Sequence, residues 1–372
     1  MTAAFAPDSG NPFAAFDLWS LIDGSARLRP DAVCLVEDGE AWTAARVAQA
    51  ADAVANSLRE LGLARRERIV LAGGANARGI VTVFGAGKAG LDIALAPLSL
   101  DARALAAYAR TVGARAILGP SRFGEMDVSA LLFEAAAAAH CVRVVATFGP
   151  EETDGAVDLD PVALSRAEML PPSAEVTQPG LITPARNKSE AIRIDQGALV
   201  AAAFDFVAAI GARSDTPILS LMQPSSFAGL VAGPVAALLC GAPLHLCAPW
   251  RRDSLLALAD ARTPSHCIGP FLLGPMLADA FGHRLETLTL VSRRHGVAGG
   301  TPAAVRASCP TFDLYAIGEI AAIAEPRSDA GAATQPAMKA HYVSFDGEQI
   351  LTAQRSQDGG LIGAAINPGE AP

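Results

Sequence analysis

The chain of 372 residues has few lysines and few aromatic residues, and one long stretch has no charged side chain at all. Aromatic residues make up only 5%, whereas 51% of residues are hydrophobic and 18% are charged, with a formal net charge of −9. Disordered proteins combine low hydrophobicity with high net charge, so this composition excludes that class and requires a sizeable core. An acidic chain without a basic cluster also argues against a nucleic-acid partner, because affinity for phosphate backbones comes from clustered Lys and Arg.

The six cysteines form no CxxC pair, which is typical of reduced thiols and predicts a cytoplasmic protein. The N-terminal residues lack the basic region and the continuous apolar region of a secretory signal. His245, Cys247, His266 and Cys267 lie close together in the sequence, yet their spacing is unlike that of a zinc finger. We therefore expect these four side chains in the core rather than around a metal ion.

The uncharged stretch spans residues 216–250 and is long enough to cross a bilayer. Several prolines interrupt it, and Gln223, Ser225 and Ser226 lie near its middle. A spanning helix broken in this way would leave backbone groups unpaired in lipid. We therefore predict a buried strand, helix and strand, and no membrane span.

Two segments, 69–97 and 218–249, share one order of features: strand, loop, helix, glycine, strand and Ala-Pro. This order predicts two βαβ units with parallel strands. The expected fold class is α/β, with two βαβ-based subdomains of mixed or parallel sheets flanked by helices, followed by the start of a small β subdomain. We place these units at residues 1–175, 176–336 and 337–372.

Gly85, Gly87 and Gly90 spell the GxGxxG pattern of dinucleotide-binding sites. In such sites the glycines connect a strand to the beginning of a helix. Here they follow a predicted helix over residues 77–88 and lead into a strand, so we expect a helix end. The phosphate-loop pattern GxxxxGK[ST] also fails, because Thr82 replaces its first glycine and Ala89 its hydroxyl residue.

Three scaffold segments carry a family resemblance: Trp42-Thr43 with the helix that ends at Gly62, the Arg68-Ile-Val strand, and Gly87-Lys-Ala-Gly90 followed by Ala96-Pro97. With them the chain resembles the large N-terminal domain of the adenylate-forming superfamily, which includes acyl-CoA synthetases, luciferases and peptide-synthetase adenylation domains. The resemblance runs from about Asp17 to Gly363. It implies ATP or AMP with Mg as cofactors and a small carboxylic acid, or an acyl or aryl ligand, as substrate.

The family's phosphate loop, which is rich in glycine and hydroxyl residues, corresponds to residues 183–192. All its glycines are replaced here, although a loop that wraps phosphates with backbone N–H groups needs their conformational freedom. The resemblance leaves Thr183 and Arg186 as nucleotide-binding candidates and Lys188 as a catalytic candidate. Glu190 in the same segment would repel phosphate.

The other chemical motifs are partly retained. The family's histidine near the acyl pocket corresponds to Ser226, and the glycine that follows it is kept as Gly229. The YGxTE motif corresponds to residues 315–319, so the resemblance assigns Tyr315 to adenine and Glu319 to magnesium and catalysis. The implied substrate pocket consists of Ser226, Phe227, Gly229 and His295.

The family's ribose-binding aspartate, its hinge and its small domain with the catalytic lysine have no expected counterpart here, and Lys88, Lys188 and Lys339 are the only lysines. The first hypothesis is therefore a catalytically impaired relative that acts as a binding or regulatory subunit, with a ligase or a second copy of the chain as partner. The alternative is an atypical ATP-dependent acid–CoA ligase whose lid domain another protein supplies. A third hypothesis is an α/β protein that shares only the fold.

Overall fold

The protein is described from a computed structural model. The described residues are 16–149, 151–164, 179–184, 191–247, 265–281, 283–293, 305, 307–317, 319, 321–327, 340–343, 350–355 and 361–366.

The helices within these ranges are α1 (Ser20–Leu28), α2 (Ala44–Glu60), α3 (Ala77–Lys88), α4 (Ala102–Val112), α5 (Val128–Ala138), α6 (Pro161–Leu164), α7 (Gln196–Ile210), α8 (Phe227–Leu230), α9 (Ala236–Cys240) and α10 (Gly274–Phe281). A π-helical turn, Val231–Val235, joins α8 to α9, and a 3₁₀ turn, Phe271–Leu273, precedes α10.

The strands are β1 (Val33–Glu37), β2 (Glu40–Thr43), β3 (Arg68–Ala72), β4 (Asp92–Ala96), β5 (Ala116–Pro120), β6 (Arg122–Phe123), β7 (Met126–Asp127), β8 (Val144–Phe148), β9 (Val157–Asp158), β10 (Leu181–Pro184), β11 (Ala191–Ile194), β12 (Ile218–Ser220), β13 (Leu244–Leu246), β14 (His266–Pro270), β15 (Thr287–Arg293), β16 (Thr311–Ile317), β17 (Ala321–Pro326), β18 (Ala340–Val343), β19 (Ile350–Arg355) and β20 (Leu361–Ile366).

Short polar side chains begin most of the longer helices. Thr43, Asn76, Asp101, Asp127 and Asp195 each precede a helix and accept a hydrogen bond from a backbone N–H of its first turn. These bonds satisfy donors that have no partner inside the helix. Glycines in the left-handed conformation follow three of the helices: Gly113 follows α4, Gly211 follows α7 and Gly241 follows α9.

Two large sheets organise the α/β fold. The first has the strand order β11-β10-β4-β3-β5-β8-β9, in which β10, β4, β3, β5, β8 and β9 run parallel. The second has the order β17-β16-β15-β14-β12-β13-β1-β2, with antiparallel strands at its two edges. Both predicted βαβ units are therefore confirmed, as β3-α3-β4 in the first sheet and β12-α8-β13 in the second.

Each large sheet contains a hairpin whose parallel partner strand lies far away in the sequence. The early hairpin β1–β2 joins the second sheet, where Leu35 pairs with Leu244. The later hairpin β10–β11 joins the first sheet, where Leu181 pairs with Ile93. The sequence pattern did not indicate this exchange of hairpins between the sheets, and the boundary expected near residue 175 stays a prediction.

The uncharged stretch forms buried structure through residue 247, as predicted. Strand β12, the helical segment from α8 to α9 and strand β13 follow one another, with non-helical backbone at Gly233 before Pro234. Among the described residues, no helix is long and apolar enough to cross a membrane. Beyond residue 337, the strands β18, β19 and β20 form an antiparallel sheet, where the sequence indicated a β subdomain.

The GxGxxG glycines lie at the end of α3, as the pattern predicted, and their role is close packing. A Cβ on Gly85 would lie 2.7 Å from Val54 of α2, and one on Gly87 would overlap the Trp19 ring. The following residue, Lys88, is nearly buried and pairs with Asp23 of α1 at 2.7 Å and with Asp52 of α2. This segment therefore joins three helices and contributes to the largest apolar cluster of the core.

Candidate functional site

A cavity of about 510 Å³ lies where the carboxyl ends of the parallel strands from both sheets meet. Ala75 follows β3 and Pro97 follows β4, whereas Leu221 follows β12 and Cys247 follows β13. Ligands of α/β proteins usually bind at this edge of a parallel sheet, because loops there converge on one crevice. The lining residues are Ala75, Pro97, Ser99, Phe123, Thr183, Pro184, Ser220, Leu221, Met222, Gln223, Ser225, Ser226, Cys247, Pro270 and Glu319.

Three of the residues predicted from the resemblance line this cavity: Thr183, Ser226 and Glu319. Thr183 is the third residue of β10, and its buried hydroxyl donates to the Ser225 carbonyl at 3.1 Å. This bond ties a strand of the first sheet to the loop before α8. The hydroxyl of Thr183 is therefore already used within the protein.

Ser226 is the residue before α8, and its hydroxyl accepts from the Gly229 backbone N–H at 3.1 Å. Gly229 allows the chain to turn closely here, because a Cβ at this position would overlap the Gln223 carbonyl oxygen. Phe227, the first residue of α8, is fully buried in the core and is not among the described residues that line the cavity. Of these three predicted pocket residues, Ser226 is among the described residues that line the cavity, and Phe227 and Gly229 are not.

Glu319 approaches the same helix from the second sheet, two residues after β16. Its Oε2 accepts the Phe227 backbone N–H at 2.9 Å, and 9% of the residue is exposed. Glu319 has φ +61°, a left-handed conformation that residues other than glycine rarely adopt. Such a conformation persists where surrounding contacts fix it, and the bond to α8 is one of those contacts.

Tyr315 lies within β16, where it pairs in register with Ser292 of β15 and Ile323 of β17. It is half-buried and is not among the described residues that line the cavity. The remaining candidates, Arg186, Lys188 and His295, lie outside the described residues. Their assignments therefore stay predictions.

Most of the lining residues, notably Ser99, Ser220 and Met222, were not predicted from the sequence. Each of them lies at or just after the carboxyl end of a parallel strand. That position was the available signal, because carboxyl ends of parallel strands share one edge of a sheet. Cys247 was expected in the core and is indeed buried, but it also lines the cavity.

The histidines and thiols that could suggest zinc are core residues, as expected. His245, His266 and Cys267 are buried within the second sheet. Burial raises the pKa of the Cys267 thiol to about 12, as is usual for an unreactive thiol in an apolar core. Across the ranges described above, no group of three or more His, Cys, Asp or Glu side chains could hold a metal ion.

Comparison with known proteins gives a match to one sequence family and to several solved structures. Residues 22–184 match the family described as AMP-binding enzyme. No curated protein matches the sequence.

Several solved structures, two of them CoA ligases, have the same fold. The anthranilate CoA ligase AuaEII in complex with anthranoyl-AMP is 15% identical, with a TM-score of 0.71 over 92% of this chain and 70% of its own. Mycobacterium smegmatis MbtA in its apo form is 17% identical, with a TM-score of 0.71 over 94% of this chain and 71% of its own. A benzoate CoA ligase from Burkholderia xenovorans LB400 is 16% identical, with a TM-score of 0.68 over 94% of this chain and 80% of its own. At these identities the likeness establishes the fold.

Proposed function

Because residues 22–184 match the AMP-binding enzyme family and the chain has the fold of the CoA ligases described above, we propose that this protein binds a small carboxylic acid, or its acyl or aryl derivative, without activating it. The observation that supports this proposal is the cavity between the two sheets. In this proposal the protein is a binding or regulatory subunit, and its partner is a genuine ligase or a second copy of the chain.

The size and lining of the cavity support an aromatic or short aliphatic acid. Pockets for small organic ligands typically measure about 300–1,000 Å³ and combine apolar walls with a few polar groups, and this one measures about 510 Å³. Phe123, Leu221 and Met222 supply apolar surface, and Ser220 and Ser225 supply hydroxyl groups. The similar structures act on benzoate or hold anthranoyl-AMP, which makes benzoate and anthranilate the first ligands to test.

The proposal that the protein does not activate its ligand rests on residues 183–192, which correspond to the family's phosphate loop. Residues 183–192 contain no glycine, and backbone that wraps phosphates needs glycine to reach the required conformations. The Thr183 hydroxyl, which could contact a phosphate, donates instead to the Ser225 carbonyl. Loss of preorganised donors around a reacting group typically costs about 10²–10³ in rate for each donor.

The alternative proposal is an acyl-adenylate-forming ligase. It is favoured by Glu319, which is retained at the cavity, and by Tyr315, four residues earlier on β16. In that case Arg186 and Lys188 would supply positive charge to ATP, with Mg bound at Glu319 and a lid domain provided by another protein. Binding and activation can be measured separately, so the two proposals can be distinguished.

Binding is tested by titrating benzoate and anthranilate into the protein by calorimetry. We expect saturable binding that Met222→Trp weakens at least tenfold, because the larger side chain fills the cavity that Met222 lines. Leu28→Trp is the matched control, since Leu28 is exposed and ends α1, a helix that contributes no residue to the described lining of the cavity. If neither acid binds, or if both variants weaken binding equally, the binding proposal is wrong.

Activation is tested by carboxylate-dependent exchange of pyrophosphate into ATP. We expect no exchange above background with benzoate, anthranilate or acetate in the presence of magnesium. Exchange that depends on the added acid would overturn the non-catalytic proposal and support the ligase alternative.

A further inference from the structure

The central helices of the two βαβ units begin in the same way. Asn76 precedes α3 and accepts from the Gly79 backbone N–H at 2.7 Å. Ser226 precedes α8 and accepts from the Gly229 backbone N–H at 3.1 Å. In both helices, therefore, a polar cap is followed three residues later by glycine.

Gly79 and Gly229 each allow the preceding loop to pack closely against the first turn of the helix. A Cβ on Gly79 would overlap Gly74, and a Cβ on Gly229 would overlap the carbonyl oxygen of Gln223. In each unit, the loop between strand and helix folds back over the first helical turn. The two loops also approach each other, because a Cβ on Gly74 would lie 3.8 Å from Pro224.

A carboxylate completes each helix start. Glu37, the last residue of β1, accepts the Ala77 N–H through Oε2 at 3.0 Å. Glu319 accepts the Phe227 N–H through Oε2 at 2.9 Å. Ala77 and Phe227 are the first residues of their helices, whose N–H groups have no partner inside the helix, and a negative charge is favourable there.

Glu37 and Glu319 make the same kind of contact with the first residue of a helix, and this similarity indicates a structural role for Glu319. Glu37 has this role although it is not among the described residues that line the cavity. The contact of Glu319 with α8 thus has a structural counterpart that needs no ligand. It also fixes the loop of residues 221–226, whose Gln223, Ser225 and Ser226 form one wall of the cavity.

The resemblance assigns magnesium to Glu319, but the described lining alone supplies too few ligands for that ion. Mg²⁺ usually binds through one or two carboxylates together with substrate phosphates and several waters, and the proposed carboxylic-acid ligand carries no phosphate. Glu319 is the only carboxylate among the described lining residues, and one of its oxygens accepts a backbone N–H. The described ranges also contain no group of three or more potential metal ligands.

We infer that Glu319 is a positioning residue that closes the first turn of α8 and holds residues 221–226 as a wall of the cavity, which takes its ligand without a divalent metal ion. The statement about ligand binding rests on the proposed function. The helix contact itself does not depend on it.

The first test compares Ala and Gln at both positions by thermal unfolding. Glu319→Ala and Glu37→Ala should each lower Tm by about 2 °C, the size expected for a lost helix cap in a chain of this length. Glu319→Gln and Glu37→Gln should recover at least half of that loss, because the amide oxygen still accepts the N–H. If Glu319→Gln had the same low Tm as Glu319→Ala, while Glu37→Gln recovered its Tm, the two glutamates would not have the same role and the inference would be wrong.

The second test uses Mn²⁺ alone as a spectroscopic probe, with free Mn²⁺ measured by electron paramagnetic resonance. We expect wild-type protein and Glu319→Gln to leave the same free fraction at metal concentrations up to about 1 mM, since Mn²⁺ takes the same oxygen ligands as Mg²⁺. One-to-one binding that Glu319→Gln abolishes and Glu37→Gln retains would overturn the inference.

The third test separates positioning from general stability. Benzoate affinity should fall about fivefold or more in Glu319→Ala, stay within twofold in Glu37→Ala, and be unaffected by chelation with EDTA. Equal losses in the two Ala variants, or a loss on adding EDTA, would contradict the inference. If benzoate does not bind wild-type protein, the proposed function fails, and the thermal and Mn²⁺ tests still decide the role of Glu319.

Discussion

The glycines of α3 match the GxGxxG pattern of a dinucleotide site, but in this protein they allow close helix packing. The sequence alone excluded a dinucleotide loop, because the glycines follow a predicted helix and precede a strand. The packing role of Gly85 and Gly87 was not predictable, because Gly85 contacts Val54 of α2 and Gly87 contacts Trp19, the residue before α1. Local patterns indicate where a helix ends, whereas packing partners depend on tertiary structure.

Adding a single methyl group at this interface should be destabilising. We expect Gly87→Ala to reduce the free energy of unfolding by about 1–3 kcal/mol, because overpacking displaces the buried Trp19 ring. Gly24→Ala is the control: Gly24 lies within α1, and a Cβ there meets nothing within 4 Å. That variant should gain about 0.5–1 kcal/mol from the lower helix cost of alanine.

Urea denaturation of both glycine variants measures this difference. A Gly87→Ala protein as stable as wild type would contradict a tight contact between Trp19 and α3.

Helices α1, α2 and α3 are joined electrostatically as well as by packing. Lys88 lies at the end of α3, and its ammonium group contacts Asp23 of α1 and Asp52 of α2. A cation near a helix C-terminus is also favourable toward the helix dipole. The resemblance placed Lys88 in a scaffold segment, and the structure gives the physical reason.

Lys88→Met should lower the free energy of unfolding by about 1–2 kcal/mol. The value is smaller than for a fully buried pair because Asp23 is 40% exposed and Asp52 is 25% exposed. Arg213→Met is the matched control, since the Arg213–Asp215 pair is mostly exposed and should contribute less than about 1 kcal/mol. Equal losses in urea denaturation would contradict this account.

Strand β14 contains a histidine that links stability to pH. His266 is fully buried, and its Nδ1 shares a hydrogen bond with the Thr287 hydroxyl at 2.8 Å. Burial lowers the pKa of His266 below its ordinary value of 6.5, and Glu286 only partly opposes this shift. The unfolded chain therefore takes up a proton before the folded protein does as the pH falls.

Stability should consequently decrease from pH 7.5 to pH 5.5, by up to about 1.4 kcal/mol for each unit of pKa shift. His266→Gln should reduce this slope, and His283→Gln, at an exposed position, should not. Urea midpoints at several pH values measure the slopes. An unchanged slope in His266→Gln would assign the pH dependence to other groups.

At the scale of the whole molecule, the sequence predicted the α/β class, both βαβ units and the buried nature of the uncharged stretch. The family resemblance named Thr183, Ser226 and Glu319 as candidate site residues, and all three line one cavity in the structure. The exchange of β1–β2 and β10–β11 between sheets was not predictable. Parallel pairing depends on contacts between residues far apart in the chain, which no local period encodes.

The exchange of strands also sets an order of events during synthesis. Leu35 of β1 pairs with Leu244 of β13, so the β1–β2 hairpin leaves the ribosome well before its parallel neighbour exists. At typical translation rates this interval is on the order of tens of seconds. During that time β1 has an open edge, which is the kind of surface that chaperones protect from wrong pairing.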